Sequence, residues 1–454
     1  MEINRRGFLK TAVAAMAGGL GAEDAFAQRA GTSGGIAADD RVLVANEESN
    51  TLSVIDPARN AVVKTINLTS FDEDPRPLYR FATAGRIPTY AAMIRKPLYR
   101  GCIFAHGMAL DPDGTLLAVS GRGSSNVYLI DTLTYRVLGS TPNPQAGAAT
   151  NPERISSGVL VGREPVGSAF TRNGKELWVA LRGEDRIAII DTVKARTAVG
   201  GKAAGAVRAF LQTVYGPAQV AFSRDGTLAF VVSQRVPRVD VIGLNADDEG
   251  YSKPQRVAML DISLVDKHGD TPFLKHTPDG AQAWLVHELA DAVSVIAAGA
   301  PFHPLVTVPL GAGARPNQIE FVENDKGRVA YVTLARVESD PHGGVAASRI
   351  AIIDRSVPAA QTKVVKTFSS RGRAAHGLWA NPAHTLLYVA HEGDEMPGTP
   401  NAGQTVCSVF DIARPLEPQF VAQIPLGHLA LPSGNLRSKK GVGVVYVHRA
   451  AALG

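Results

Sequence analysis

The chain has 454 residues, 45% of them hydrophobic, with 45 Gly and 28 Pro, which is ample for a large core and far from the composition of disordered chains. A net charge of +5 is mild for this length, and no Lys/Arg block or aromatic-interleaved basic stripe occurs, which argues against nucleic acid as a partner. The chain contains no Cys-x-x-Cys-His, Gly-x-Ser-x-Gly, P-loop or His-Glu-x-x-His, so covalent haem attachment and the commonest hydrolase and nucleotide signatures are excluded.

In chain order, residues 1–27 resemble a twin-arginine export signal. Arg5 and Arg6 are followed by Phe8, Leu9 and Lys10, then by a weakly apolar run to Ala22 and the small residues around Ala25 and Ala27 that a signal peptidase needs. The mature chain is therefore expected to be periplasmic or secreted, with a flexible segment over 28–40 and one domain over 41–454. No later run approaches the ~18 continuous apolar residues of a membrane-spanning helix, so an integral membrane protein is not expected. Export permits a disulfide between the only two cysteines, Cys102 and Cys407, but their spacing does not establish one.

From residue 41 onward a unit repeats. Turns end at Gly114, Gly174, Gly226, Gly280, Gly327, His384 and Gly441, at spacings of 60, 52, 54, 47, 57 and 57 residues. Each turn lies between short apolar runs such as "TLLAVS", "KELWVAL" and "TLLYVAH". A further run then ends in Asp, as in "NVYLID" at Asp131 and "RIAIID" at Asp191 and Asp354, where the carboxylate is expected to bond nearby turn N–H groups. Short β-branched runs separated by Gly/Pro/Asp turns are strands, and no helical period separates them, which excludes parallel βα units. Four antiparallel strands per unit, arranged radially, make an all-β seven-bladed β-propeller. One blade is shared: "RVLVANEESNTLSVIDPARNAVVKTINL" lacks an innermost strand, and the C-terminal "SGNLRSKKGVGVVYVHR" supplies one. "VLVANE" and "VVYVHR" carry the same pattern, so the sequence leaves open which of them lies inside. Trp178, Trp284 and Trp379 fall on strands and are expected in the core.

"LVANEESNTLSVID", "LWVALRGEDRIAIID" and "AYVTL" resemble the YVTN-repeat propellers of bacterial surface and periplasmic proteins. "KHTPDGAQAWLVHELADAVSVI" is in addition similar to lactonase-type propellers, although His287-Glu288-Leu289 stands where those carry Asn-Glu-Leu. Propellers of this general kind also include the haem-binding domain of periplasmic nitrite reductases. The resemblance implies a fold and leaves the function to the site.

In a propeller the start of each innermost strand and the turn after the second strand return to one face. Eight residues before each turn stand His106, Val166, Ala218, Pro272, His376 and Ser433, with Asn317 from the irregular sixth unit. Eight residues after stand Arg122, Arg182, Gln234, Glu288, Ala335, Glu392 and Arg449, with Glu47 competing for the last place. His287, His391 and His448 lie one position earlier; Arg235 and Arg336 lie one later. The "His-Gly" pairs at 106 and 376 are thus expected to approach one channel mouth. The candidate ligand-binding set is His106, His376, Arg122, Arg182, Arg235, His287 and His391, since guanidiniums capture carboxylates or phosphates and imidazoles move protons. The long connection over 71–100, with six Lys or Arg, is expected to enter on the same face as a binding loop.

Three functions follow as expectations. The first is a monomeric exported module that binds a small anionic ligand or a periplasmic protein partner. The second is a lactonase-like hydrolase using Glu288 or Glu392 beside a histidine. The third is a haem or metal carrier ligated by His106 or His376. No cofactor is required by the sequence.

Overall fold

The computed structural model describes residues 36–68, 103–139, 141–142, 154–155, 158–197, 205–339, 345–430 and 436–448. The expected export signal, the loop over 71–100, Cys102, Ser433 and Arg449 lie outside these residues. Among the described residues no helix is long and apolar enough to cross a membrane.

Seven sheets of four antiparallel strands form a propeller. From the inner strand outward, the second blade runs Ala105–Leu110, Leu116–Gly121, Asn126–Asp131, Val159–Leu160 and the third Pro165–Phe170, Glu176–Leu181, Arg186–Asp191, Val207–Gln212. The innermost strands of the next four blades are Pro217–Phe222, Phe273–His276, Pro316–Asn324 and Arg373–Ala380. In the first blade, Gly441–Val447 is innermost, followed outward by Arg41–Asn46, Thr51–Asp56 and Ala61–Asn67. "VLVANE" is the second strand and the C-terminal segment is the first, so the two ends of the chain close the ring by strand pairing from Arg41↔Val447 to Asn46↔Gly441.

Middle strands such as Leu116–Gly121 and Glu176–Leu181 are buried along their whole length because neighbouring blades cover both faces. Outer strands such as Val207–Gln212 alternate between half-buried and exposed residues, as a sheet wet on one side does. Seven apolar clusters fill the seven junctions; one packs Leu43 and Leu52 of the first blade on Leu117 and Val119 of the second, another packs Val42 and Ile55 on Tyr388 and Val409 of the seventh. The closing blade thus has a full hydrophobic joint on each side. The Asp side chains behave as expected, accepting turn N–H bonds at Ala58, Thr134, Lys194, Ser356 and Ala413. Trp178 and Trp284 are buried in the core, whereas Trp379 is half-buried and faces the channel.

Glycine sets the spacing of the inner strands. A Cβ on Gly377 would lie 2.6 Å from the Val442 carbonyl, on Gly107 2.0 Å from the Val166 carbonyl, and on Gly167 2.6 Å from the Ala218 carbonyl; on Gly443 it would lie 3.1 Å from the His106 carbonyl. Four consecutive junctions, from the seventh blade to the fourth, therefore pack backbone on backbone. The equivalent positions in the fourth to sixth blades are Gln219, Phe273 and Gln318, and these side chains face the cavity described below.

Deleting residues 441–454 should remove the inner strand of the first blade and expose the edge of Arg41–Asn46, a ready template for aggregation. The expected result is loss of the cooperative melting transition and appearance of oligomers on size-exclusion chromatography. A truncated protein that stays monomeric and melts unchanged would show that the ring does not depend on this strand.

Candidate functional site at the channel mouth

The starts of five inner strands depart from regular pairing. The register slips between Ala105 and Met108, Pro165 and Ser168, Pro217 and Gln219, Pro316 and Ile319, and Ala375 and Leu378. The slip takes the His-Gly pairs out of the ladder and turns them toward the channel. Their backbone groups find partners on neighbouring blades; the His376 carbonyl accepts from Thr333 Oγ1 at 2.7 Å.

Two residues before six of the seven mouth residues the chain passes through a left-handed conformation, at Phe104, Glu164, Gly216, Arg315, Ala374 and Lys440, with φ between 50° and 63°. For residues other than Gly this costs on the order of 1 kcal/mol each. A repeated hydrogen bond offsets it. The carbonyls of Phe104, Glu164, Gly216, Arg315 and Lys440, and of Asp270 at the same place in the fifth blade, accept from the N–H groups of Arg122, Arg182, Gln234, Ala335, Glu47 and Glu288 at 2.9–3.2 Å. Six blades thereby pin the rim residue to their own lead-in.

These registers enclose a cavity of about 360 Å³, and its lining includes His106, Val166, Ala218, Pro272, Asn317 and His376 together with Glu47, Arg122, Arg182, Gln234, Glu288, Ala335 and Glu392. Glu47 takes the rim place in the first blade, and Val442, paired one step into the closing strand, stands at the His106 register. His448, at the far end of that strand, bonds Asp40 at 2.9 Å and is away from the mouth. Below the rim Met108, Leu378, Val444, Trp379 and Lys275 line the cavity, and the Lys275 ammonium stands 5.1 Å from the Trp379 ring centroid while paired with Glu320 at 2.7 Å.

His106 and His376 meet. Their ring centroids are 5.6 Å apart with perpendicular planes. His376 Nδ1 lies 2.7 Å from the Val442 carbonyl, which can only accept, so Nδ1 carries the proton and neutral His376 presents its lone pair at Nε2, 3.6 Å from Glu392. Burial, and next the Arg122 guanidinium, push His106 well below the usual imidazole range, and Glu47 offsets this only in part. Burial would raise the Glu47 carboxyl, but Arg122, His106 and Lys440 together bring it down to about 2. Glu47 bonds both Arg122 and Lys440, the latter at 2.7 Å.

Arg182 donates to Gln234 at 2.8 Å and lies 3.5 Å from Glu164, which also meets Arg235 at 3.7 Å. Arg235 packs over Tyr215 at the edge of the mouth, outside the cavity lining. Arg336 donates to the Ala312 carbonyl on the exposed rim. Glu288 pairs with Arg315 at 2.6 Å.

Two expected ligand contacts are corrected. His287 and His391 are fully buried and do not line the cavity. His287 is held between Thr271 Oγ1 at 2.9 Å and Ser294 Oγ at 2.7 Å, and His391 between the Val406 carbonyl at 3.1 Å and Ser370 Oγ at 3.0 Å. Successive strand residues point to opposite sides, so one position before the rim faces the blade interior. Conversely, counting eight residues passed over the lead-in residues Glu164, Asp270, Arg315 and Lys440; counting ten back from Gly174 and Gly280 reaches the first two. Among the described residues no three His, Cys, Asp or Glu side chains are grouped as a metal ion would need. Cys407 is a buried free thiol, pushed up to about 12 by burial.

No family model matches the chain, and no curated protein does. Solved structures do. Hydrazine synthase of Kuenenia stuttgartiensis shares 16% identity over 77% of this chain and 96% of its own, with a TM-score of 0.51. A functionally unknown protein of Desulfotomaculum acetoxidans shares 12% over 90% and 100%, at 0.55. The periplasmic gluconolactonase of Pseudomonas aeruginosa shares 15% over 90% and 99%, at 0.52. What is shared is the fold.

The buried histidines make the fold acid-sensitive. His391 is lowered by burial from 6.5 to about 4, so the unfolded chain takes up a proton that the folded one refuses as the pH falls between those values. Stability should drop through that window by on the order of 3 kcal/mol from this residue alone, with His106 acting in the same direction. Glu47 protects the fold above the normal glutamate range and loses that effect only as pH nears 2. Chemical denaturation at pH 7 and pH 4 measures this, and equal stabilities would contradict it.

Proposed function

We propose that this chain is an exported, YVTN-type propeller that acts as a binding module, with an anionic small molecule seated at the channel mouth. The observation that carries the reading is the convergence of Arg122 and Arg182, from adjacent blades, with the half-buried His106 on one cavity. A guanidinium presents five donors in a planar fork that matches a bidentate anion. The cavity volume falls at the lower end of ordinary small-molecule pockets. Export is supported by the Arg5-Arg6 segment, and the YVTN assignment by the repeat residues quoted above.

A second reading, a lactonase-like hydrolase, is favoured by His376. With Nδ1 tied to the Val442 carbonyl, Nε2 is oriented to take a proton from a water attacking a lactone carbonyl, and Glu392 would stabilise the resulting imidazolium. The proton passes on to the ring oxygen as the C–O bond breaks, and Arg122 and Arg182 would hold the carboxylate formed. A periplasmic gluconolactonase carries the same fold.

Calorimetric titration with glutarate, gluconate and inorganic phosphate tests the first reading. At least one should bind, and Arg182→Gln or His106→Ala should weaken it by about 1–3 kcal/mol without changing the melting temperature. Absence of binding by all three would overturn the reading. Hydrolysis of glucono-δ-lactone, lost in His376→Ala, would favour the second.

A further inference from the structure

Just below the mouth, Gly107, Gly167, Gly377 and Gly443 bring no side chain to the cavity, and the wall at that level is built by Gln219, Phe273 and Gln318, with Asn317 at the mouth beside them. The amides on this wall differ from the one at the rim. Gln234 accepts from Arg182 at 2.8 Å and donates to Asp270 at 3.1 Å, so both ends of its amide are used within the fold. The side chains of Gln219, Asn317 and Gln318 line the cavity and make no hydrogen bond among the described residues. Gln219 Oε1 stands 1.6 Å from where a Cβ on Gly167 would be, so that glycine makes room for the amide at the junction of the third and fourth blades.

Each amide offers one acceptor and two donors, whichever way it is turned. His376 Nε2 adds a fourth acceptor, because its Nδ1 proton is given to the Val442 carbonyl. Four acceptors on the fourth, sixth and seventh blades thus face the cavity. A carboxylate brings acceptors only and would leave all four desolvated and unmatched, at a cost for each. An ammonium brings donors only, and at one end. A hydroxyl both donates and accepts as an amide does, and a chain of hydroxyls spreads its donors along the ligand.

We infer that the mouth recognises a polyhydroxylated carboxylate, of the class of sugar acids, whose hydroxyls bond Gln219, Asn317 and Gln318 and whose C–H groups lie over Met108, Leu378 and Val444. The inference rests on the anion-binding reading above and adds to it the uncharged part of the ligand.

Isothermal titration of the full chain at pH 7 with three six-carbon probes tests it: gluconate, hexanoate and glucitol. Gluconate should bind about tenfold tighter than hexanoate, the gain from one or two net hydrogen bonds, and more tightly than neutral glucitol. In a Gln219→Leu, Gln318→Leu double variant that melts like the unaltered protein, the ratio of gluconate to hexanoate affinity should fall toward one, and an unchanged ratio would overturn the inference. Hexanoate binding the unaltered protein as tightly as gluconate would overturn the hydroxylated ligand and leave the anion site standing. Glucitol binding as tightly as gluconate would overturn the anion reading itself, as would no heat from any probe at millimolar concentration.

Discussion

The structure depends on how closely neighbouring inner strands approach. Where Gly377, Gly443, Gly107 and Gly167 stand, the next blade's carbonyl occupies the space a Cβ would need. This contact sets the radius of the ring over four junctions, and it also builds the mouth. The Val442 carbonyl that crowds Gly377 is the same group that fixes His376 Nδ1, and the His106 carbonyl packs on Gly443 in turn. The repeated His-Gly pair therefore joins two jobs in adjacent residues: the glycine admits the neighbour, and the histidine uses the cavity that results.

Charge is then concentrated where water is scarce. Glu47, nearly inaccessible, binds Arg122 and Lys440, so the carboxylate is held ionised by the cations around it and holds them in place. Removing one partner of such a buried set strands the others and costs far more than a surface pair would. The mouth is pre-organised in the same sense as other anion sites: donors are aimed by backbone clamps at the lead-in residues, and little ordering remains to be done when a ligand arrives.

Much of this was legible in the sequence because the turns on the opposite face are locally determined. Gly114, Gly174, Gly226 and Gly280 all sit at φ near 70°, a conformation that glycine adopts freely, and a strand of fixed rise carries that register to the far end. Eight residues from such a turn led to His106, His376, Arg122, Arg182, Glu288 and Glu392, all on the cavity wall. The lead-in residues were not legible, because Phe104, Glu164, Ala374 and Lys440 are not residue types that favour a left-handed backbone. At Phe104, Glu164 and Lys440 the rim N–H bonded to the lead-in carbonyl holds that conformation. The side to which His287 and His391 point turns on a single register step, and the inner place of Gly441–Val447 is a nonlocal pairing that two near-identical strand patterns could not decide.

The central claim is that backbone contact at the glycine after His376 positions the imidazole. Gly377→Ala tests it most directly, because Gly377 needs no left-handed φ and the added methyl acts only through the Val442 carbonyl 2.6 Å away. Gly299→Ala, with nothing within 4 Å, is the control. Melting temperature and glutarate affinity, measured together, should both fall in Gly377→Ala and both hold in Gly299→Ala. A Gly377→Ala protein that binds and melts like the unaltered chain would contradict the account.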